Sequence, residues 1–422
     1  MTNPKINLLE RAKVLVLTPR FPYPVIGGDR LRIYEICRAL AEHCDLTLLS
    51  LCETDEEMKM ALPIDGIFVS IYRVFLPKWL SYLNTILAFV TGKPLQVGYY
   101  KSDAFQNELV QLMLNHDLVL AHLLRTGDYV RDAIIPSVVE MTDAISMNYA
   151  RSKLLKKGSG FRSFIYSIET NRLKDYEVSA ANHHSLLCFV SAIDAQYLYG
   201  QCLPKNVLVC GNGVDTKALK FLSNKIRSKN IAFIGNMVSL QNQDAALWFA
   251  REVLPHIRTF GDFRFRIIGK IPNNIRVKFE VLPGVEVTGK VDSVADVVTD
   301  CFVGVCPVRI GAGIQNKLLE YMALGLPSVT TSIGLEGLGA TDCKELYLAN
   351  SPLEFTEKIL HLWNDQQDAE RIAYNARMYV ETHHAWENAL SPLVMKVITL
   401  ALENKTRKAD LPIGNPPSIN HE

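Results

Sequence analysis

A chain of 422 residues exceeds one ordinary hydrophobic core, so two domains of roughly 200 residues each are expected. Its 45 basic and 44 acidic side chains leave a net charge of +1, which argues against broad attraction to nucleic acid, and no nucleic-acid-binding module is apparent. The nine cysteines are scattered mostly through apolar runs with no CxxC pair, as for buried reduced thiols of a cytosolic protein. Met1 to Arg11 is polar and unlike a signal peptide, and no window of ~18 uninterrupted apolar residues would span a membrane.

Lys13-Val-Leu-Val-Leu-Thr-Pro19 is a short continuous apolar run, the pattern of a strand buried on both faces. It leads through Gly27-Gly28 into a helical pattern at Ile33, Ile36, Leu40 and Ala41. Residues 46–50, 66–74, 118–121 and 138–141 are further strand candidates with helices between, which predicts a parallel sheet covered on both faces. A glycine pair in this first loop is either a plain turn or a place where substrate approaches the backbone. It is not a Gly-x-Gly-x-x-Gly fingerprint, so a nicotinamide or flavin dehydrogenase is disfavoured. His122 stands where a buried strand ends and a loop begins, the end at which open parallel sheets bind ligands, although a lone histidine is more often structural. Segment 74–90 is apolar and aromatic with Lys78-Trp79 at one edge. It reads either as a helix docked in the core or as a surface for a membrane or lipid-linked acceptor. Lys153-Leu-Leu-Lys156-Lys157 is a basic cluster close to it in sequence. The pairs His183-His184 and His383-His384 point to different sides of a helix, so neither reads as a metal pair.

A domain switch is readable near residue 210. A strand at 185–190 leads to Val207-Leu-Val-Cys-Gly-Asn212-Gly213-Val214-Asp215, whose Asn-Gly is a turn dipeptide. The second half starts afresh with a buried strand ending at Gly235. Helical residues 245–253 follow, then strands ending at Gly269 and Gly289. The strand Val303-Gly-Val-Cys-Pro-Val-Arg309 enters Gly311-Ala-Gly313-Ile314-Gln315-Asn316-Lys317-Leu-Leu-Glu320. Glycines there let backbone N–H groups approach a phosphate, and a helix N-terminus adds partial positive charge. Arg309 and Lys317 add full charges. Lys317 and Glu320, three apart, share a helix face, so the lysine can meet a diphosphate while the carboxylate accepts from ribose hydroxyls. A nucleotide is implied. Helices at 353–361 and 369–382 and a last one from Trp386 complete the pattern, and 406–422 lacks periodicity.

Glu320 followed by Ala323, Gly325, Pro327 and Val329 resembles the donor motif of family-4 retaining glycosyltransferases of the GT-B fold, a Glu, seven residues, a second Glu and then an Ala-x-Gly-x-Pro-x-Val run. The first glutamate's position holds Ala312, a departure shared by a bacterial exopolysaccharide sugar-transferase branch with an Arg-x-Gly-x-Gly-x-x-x-Lys motif. The resemblance implies α/β architecture: two Rossmann-type doubly wound domains facing a central cleft. These are an acceptor domain at 1–206 and a donor domain at 207–385, with a helix at 386–404 crossing back and a flexible tail at 405–422. It implies that Gly27 and Gly28 lie near the donor diphosphate and that His122 faces the donor sugar. Residues 288–293, Val291 among them, would read the nucleobase. Family members carry a cation shortly after the glycine matching Gly235; this chain has none at 236–242, and Arg309 is the candidate substitute.

The reading is a metal-independent, cofactor-free, retaining glycosyltransferase. It would move a sugar from a nucleotide diphosphate to a saccharide or lipid-linked acceptor, in the cytoplasm or at the inner face of the membrane. Arg309, Lys317 and the amides of Gly311, Gly313, Ile314, Gln315 and Asn316 would take up the leaving diphosphate's charge. No Asp-x-Asp pair is present to bridge it through a metal. A noncatalytic partner subunit of a glycosyltransferase complex and a sugar-nucleotide epimerase are the alternatives.

Overall fold

The computed structural model describes residues 11–155, 161–222, 228–291, 293–310 and 313–410, with the side chains of 152–167 left aside. The Lys153–Lys157 cluster, Gly311, Ala312 and residues 411–422 therefore lie outside what is described.

Seven strands form the first sheet: β1 (Ala12–Thr18), β2 (Cys44–Cys52), β3 (Ser70–Phe75), β4 (Leu118–His122), β5 (Ser137–Thr142), β6 (Leu186–Phe189) and β7 (Val207–Val209). They lie in the order β3-β2-β1-β4-β5-β6-β7, all parallel. Six form the second: β8 (Asn230–Ile234), β9 (Arg264–Ile268), β10 (Val285–Gly289), β11 (Cys301–Cys306), β12 (Ser328–Thr330) and β13 (Tyr347–Leu348), ordered β10-β9-β8-β11-β12-β13 and again parallel. Buried residues such as Val14, Leu15, Val16 and Leu17 occupy both faces of β1, so helices must cover both sides. In each sheet the strand order reverses once, between β1 and β4 and between β8 and β11. The crevice at such a switch point is where open α/β sheets bind ligands. The loops carrying Gly27-Gly28 and His122 leave one switch point, and those carrying Gly235 and Arg309–Lys317 leave the other.

Six helices bear on the site: α1 (Gly28–Ala41), α2 (Lys78–Thr91), α3 (Leu95–Tyr99), α4 (Leu240–Trp248), α5 (Asn316–Ala323) and α6 (Trp386–Asp410). α6 returns to the first domain and packs on α1, β1 and β4. Its start is fixed by close approach: a Cβ on Gly213 would sit 2.5 Å from the Trp386 ring. Two boundaries differ from expectation. Val207–Val209 belongs to the first sheet, as an edge strand on β6, because three half-buried residues carry no periodicity that assigns them to either neighbour. The last helix runs six residues beyond 404, and its end is tied down rather than free: Lys405 Nζ donates to Arg11 O at 3.2 Å and Lys408 Nζ to His116 O at 2.6 Å.

α2 carries most of segment 74–90 on the outside of the first domain. It buries only Ser81 and Ala88, while Trp79, Tyr82, Leu83, Ile86, Leu87, Phe89 and Val90 are exposed. Spacings of three and four place these side chains on a contiguous outward stripe. Among the described residues no helix is long and apolar enough to cross a membrane. All nine cysteines are unpaired, seven of them buried.

Candidate active site

The first-domain side of the cleft is built on strand register. His122 and Glu140 are directly paired neighbours on β4 and β5, so their side chains share a face of the sheet. His122 Nδ1 donates to Glu140 Oε2 at 2.8 Å. Arg32, on the inner face of α1, donates from Nε to Glu140 Oε1 at 2.6 Å, and from its Nη atoms to Gly211 O (2.9 Å), Asn212 Oδ1 (3.0 Å) and Cys210 O (2.8 Å). All three side chains are buried. Burial alone would raise the Glu140 carboxyl, but the Arg32 charge and the His122 bond outweigh it and hold it down at about 2. That carboxylate fixes the proton on Nδ1 and turns Nε2 toward a cleft lined also by Arg20, Asp29, Arg30, Leu123 and Arg125. Leu123 and Thr142, at the ends of the paired strands, both have left-handed backbones (φ 67° and 60°), strain that tends to collect at functional sites.

The second-domain side is the loop after β11 and the start of α5. Lys317 is buried, and among the described residues its Nζ donates to neutral acceptors, Asn242 Oδ1 at 3.2 Å and Gln315 Oε1 at 3.3 Å, with the Phe233 ring centroid 5.5 Å away. It forms no salt bridge among those residues. One helical turn on, the half-buried Glu320 carboxylate has no hydrogen-bond partner among the described residues. Burial pushes its pKa up to about 7, with the Lys317 charge pulling back. Gly235 ends β8 with its N–H on Ile268 O at 2.9 Å. Val291 is half-buried against the second domain's core.

Arg309 does not stand in the position the sequence suggested for an open cation. It makes a bidentate pair with Asp244 of α4, Nε to Oδ2 at 3.1 Å and Nη2 to Oδ1 at 2.7 Å, and lies over the Trp248 ring. Asp244 stands two residues after Asn242, so the helix that lacks a cation holds one through its carboxylate.

The two sides meet. A Cβ on Gly28 would lie 3.2 Å from Asn316 Nδ2, and Asn212 Nδ2 donates to Asn316 Oδ1 at 2.9 Å. Gly313 is left-handed (φ 71°), and a side chain there would run into the Asp143 carboxylate. Its N–H serves the Asp194 carboxylate, so this amide is committed to the first domain. Ile314 is buried, its Cδ1 3.2 Å from where a Cβ on Gly211 would stand. Burial, with Asp194 and Glu140 adding repulsion, pushes Asp143 up to about 7. A continuous hydrogen-bonded path thus runs from His122 through Glu140, Arg32 and Asn212 to Asn316. Sequence reasoning missed Arg32, Glu140 and Asp143. The available signal was a carboxylate inside the apolar run Val138-Val139-Glu140-Met141, since a charge in a buried strand needs a partner.

Residues 228–365 match the family described as Glycosyl transferases group 1, a segment that includes Gly235, Arg309, Lys317 and Glu320. Over 405 residues the chain is 24% identical to an uncharacterized 44.6 kDa protein in the cps region of Klebsiella pneumoniae, covering 90% of this chain and 99% of that protein. Sucrose-phosphate synthase from Thermosynechococcus elongatus superposes with a TM-score of 0.67 at 12% identity, covering 95% and 99% of the two chains. Anabaena HepE in complex with UDP and glucose gives 0.62 at 14% identity, covering 95% and 100%. The group 1 match in the second domain supports glycosyl transfer, and the solved structures share the GT-B fold of the whole chain.

Proposed function

We propose that the protein transfers a hexose from a nucleoside-diphosphate sugar to a saccharide or lipid-linked saccharide, with retention, in bacterial surface polysaccharide or glycan synthesis. The observation that carries this reading is Lys317, a buried cation with no salt-bridge partner among the described residues, at the start of α5 beyond β11, where the sheet order reverses. A leaving diphosphate is the counter-charge it lacks. Arg309 can add to this by exchanging Asp244 for phosphate, and the amide of Gln315 by donating to it. Lys317 meets the charge directly, so no divalent cation is required in this reading. Glu320 holds the ribose, and residues around Val291 pass along the base. The backbone at Gly27 and Gly28 and the ring of His122 border the sugar.

Glu320 makes the nucleotide part testable by pH. In the free protein its carboxyl takes up a proton near neutrality, whereas ribose hydroxyls donate to the ionised form. Nucleotide binding therefore expels a proton below pH 7, and affinity falls as pH falls, by at most about tenfold per pH unit. The fold responds in the opposite sense. A carboxyl whose folded-state pKa lies above its unfolded one supports the fold most at low pH, and that support is lost as pH rises through 7. Calorimetric titration of UDP at pH 6 and 8 should show weaker binding at the lower pH in the wild type and a flatter profile in Glu320→Gln. The phosphate's own titration is common to both proteins, so identical profiles would remove Glu320 from the ribose site.

The outward stripe of α2 supports peripheral contact with a lipid surface, since Trp and Lys at its start suit the headgroup boundary. Anionic vesicles should sediment the wild-type protein and leave the double variant Ile86→Asp, Leu87→Asp in solution. Equal sedimentation of the two would assign the stripe another role.

A further inference from the structure

We infer that the acceptor carries an anionic group, a phosphate, diphosphate or carboxylate, and that Arg20 and Arg125 bind it. This rests on the transferase reading and specifies its second substrate. A cavity of about 290 Å3 opens between α2, α3 and the loops after β1 and β4, and Arg20 and Arg125 supply its charged lining. Both also line the cleft onto which His122 opens, so the cavity is continuous in its walls with the place assigned to the sugar.

What singles out these arginines is that their hydrogen bonds go to neutral groups. Arg20 Nε and Nη2 donate to the Tyr100 hydroxyl at 3.2 and 2.9 Å. Arg125 Nε and Nη2 donate to Gln96 Oε1 at 3.2 and 2.9 Å, and its guanidinium lies 5.2 Å from the Tyr100 ring centroid. Gln96 is itself oriented by a bond from its amide nitrogen to Tyr149. The two guanidiniums thus flank one buried tyrosine. Arg20 also forms a long ion pair with Glu53, 3.8 Å from its Nε, whereas Arg125 has no salt bridge among the described residues, and no carboxylate lines the cavity. Neighbouring cations show the contrast: Arg30 is paired with Glu57 at 2.9 Å and Lys93 with Asp128 at 2.5 Å. Among the described residues neither arginine's Nη1 has a hydrogen-bond partner, and a planar fork suits an oxyanion. Tyr99 adds an aromatic wall for a sugar face.

The test titrates geranyl diphosphate and methyl glucuronide into the full chain by calorimetry with UDP at saturation, beside the neutral geraniol and methyl glucoside. One of the two anions should bind, its neutral counterpart at least about tenfold more weakly, and Arg20→Gln and Arg125→Gln should each weaken the anion about tenfold without moving UDP affinity. Binding of the diphosphate would identify a phosphate source, and of the glucuronide a carboxylate source. Binding of neither anion, or equal anion binding by wild type and variants, would overturn the inference. Lys317→Ala is the separating control. It should lose UDP and keep the anion, so a failure of the nucleotide reading appears in the UDP titrations alone.

Discussion

Lys317→Ala is expected to lose most turnover and to bind UDP about ten- to a hundredfold more weakly, the equivalent of one charge-assisted hydrogen bond of ~1.5–3 kcal/mol. The physical basis is an ammonium with no salt-bridge partner among the described residues. Nζ already has two acceptors, both neutral amide oxygens, so the ammonium is positioned before any ligand arrives and a diphosphate costs no salt bridge to break. Arg309 differs here, because Asp244 must first be released from a bidentate pair. The substitution removes a buried side chain, so the variant's fold is checked by circular dichroism, and Lys317→Met supplies a second variant that keeps the apolar stem. Unchanged UDP affinity and turnover in a folded variant would remove the lysine from the site.

His122→Ala is expected to separate turnover from nucleotide binding. Turnover should fall by about tenfold to a hundredfold, the range for a lost substrate hydrogen bond, while UDP affinity stays within a few fold because the proposed nucleotide site lies on the other domain. Glu140→Gln tests how the ring is oriented. It keeps size and one acceptor, but removes the negative charge that fixes the Nδ1 proton and balances Arg32. Leaving Arg32 buried without its counter-charge should cost about 3–5 kcal/mol of stability, so turnover in this variant is compared only at temperatures where it remains folded. Wild-type turnover in a folded His122→Ala protein would make the histidine structural and shift attention to the Gly27-Gly28 loop.

The parallel sheets were legible because strands buried on both faces, such as β1, β4, β6, β8 and β11, are nearly continuous apolar runs. The donor loop was legible because glycines, a lysine and a glutamate fall within ten residues of one another. Val207–Val209 was not, since an edge strand of three half-buried residues has no pattern to read. The end of α6 was obscured by a run of Lys and Arg that looks solvated, yet Lys408 reaches a backbone carbonyl 292 residues away. The same limit hid the centre of the site. Arg32 and Glu140 are 108 residues apart and Arg309 and Asp244 are 65 apart, and nothing local announces that either pair will meet.

The central claim is that a sugar leaves a nucleoside diphosphate at Lys317 and arrives on an acceptor. Its most direct test is product analysis after incubation with a panel of labelled nucleotide sugars and acceptor saccharides, free and linked to geranyl diphosphate, with EDTA present. The expected result is a labelled glycoside with one nucleoside diphosphate released for each glycoside formed, and neither product from Lys317→Ala. Formation of an altered sugar nucleotide without any glycoside, or equal product from wild type and Lys317→Ala, would contradict it; a glycoside formed only when manganese replaces the chelator would contradict the metal-free mechanism.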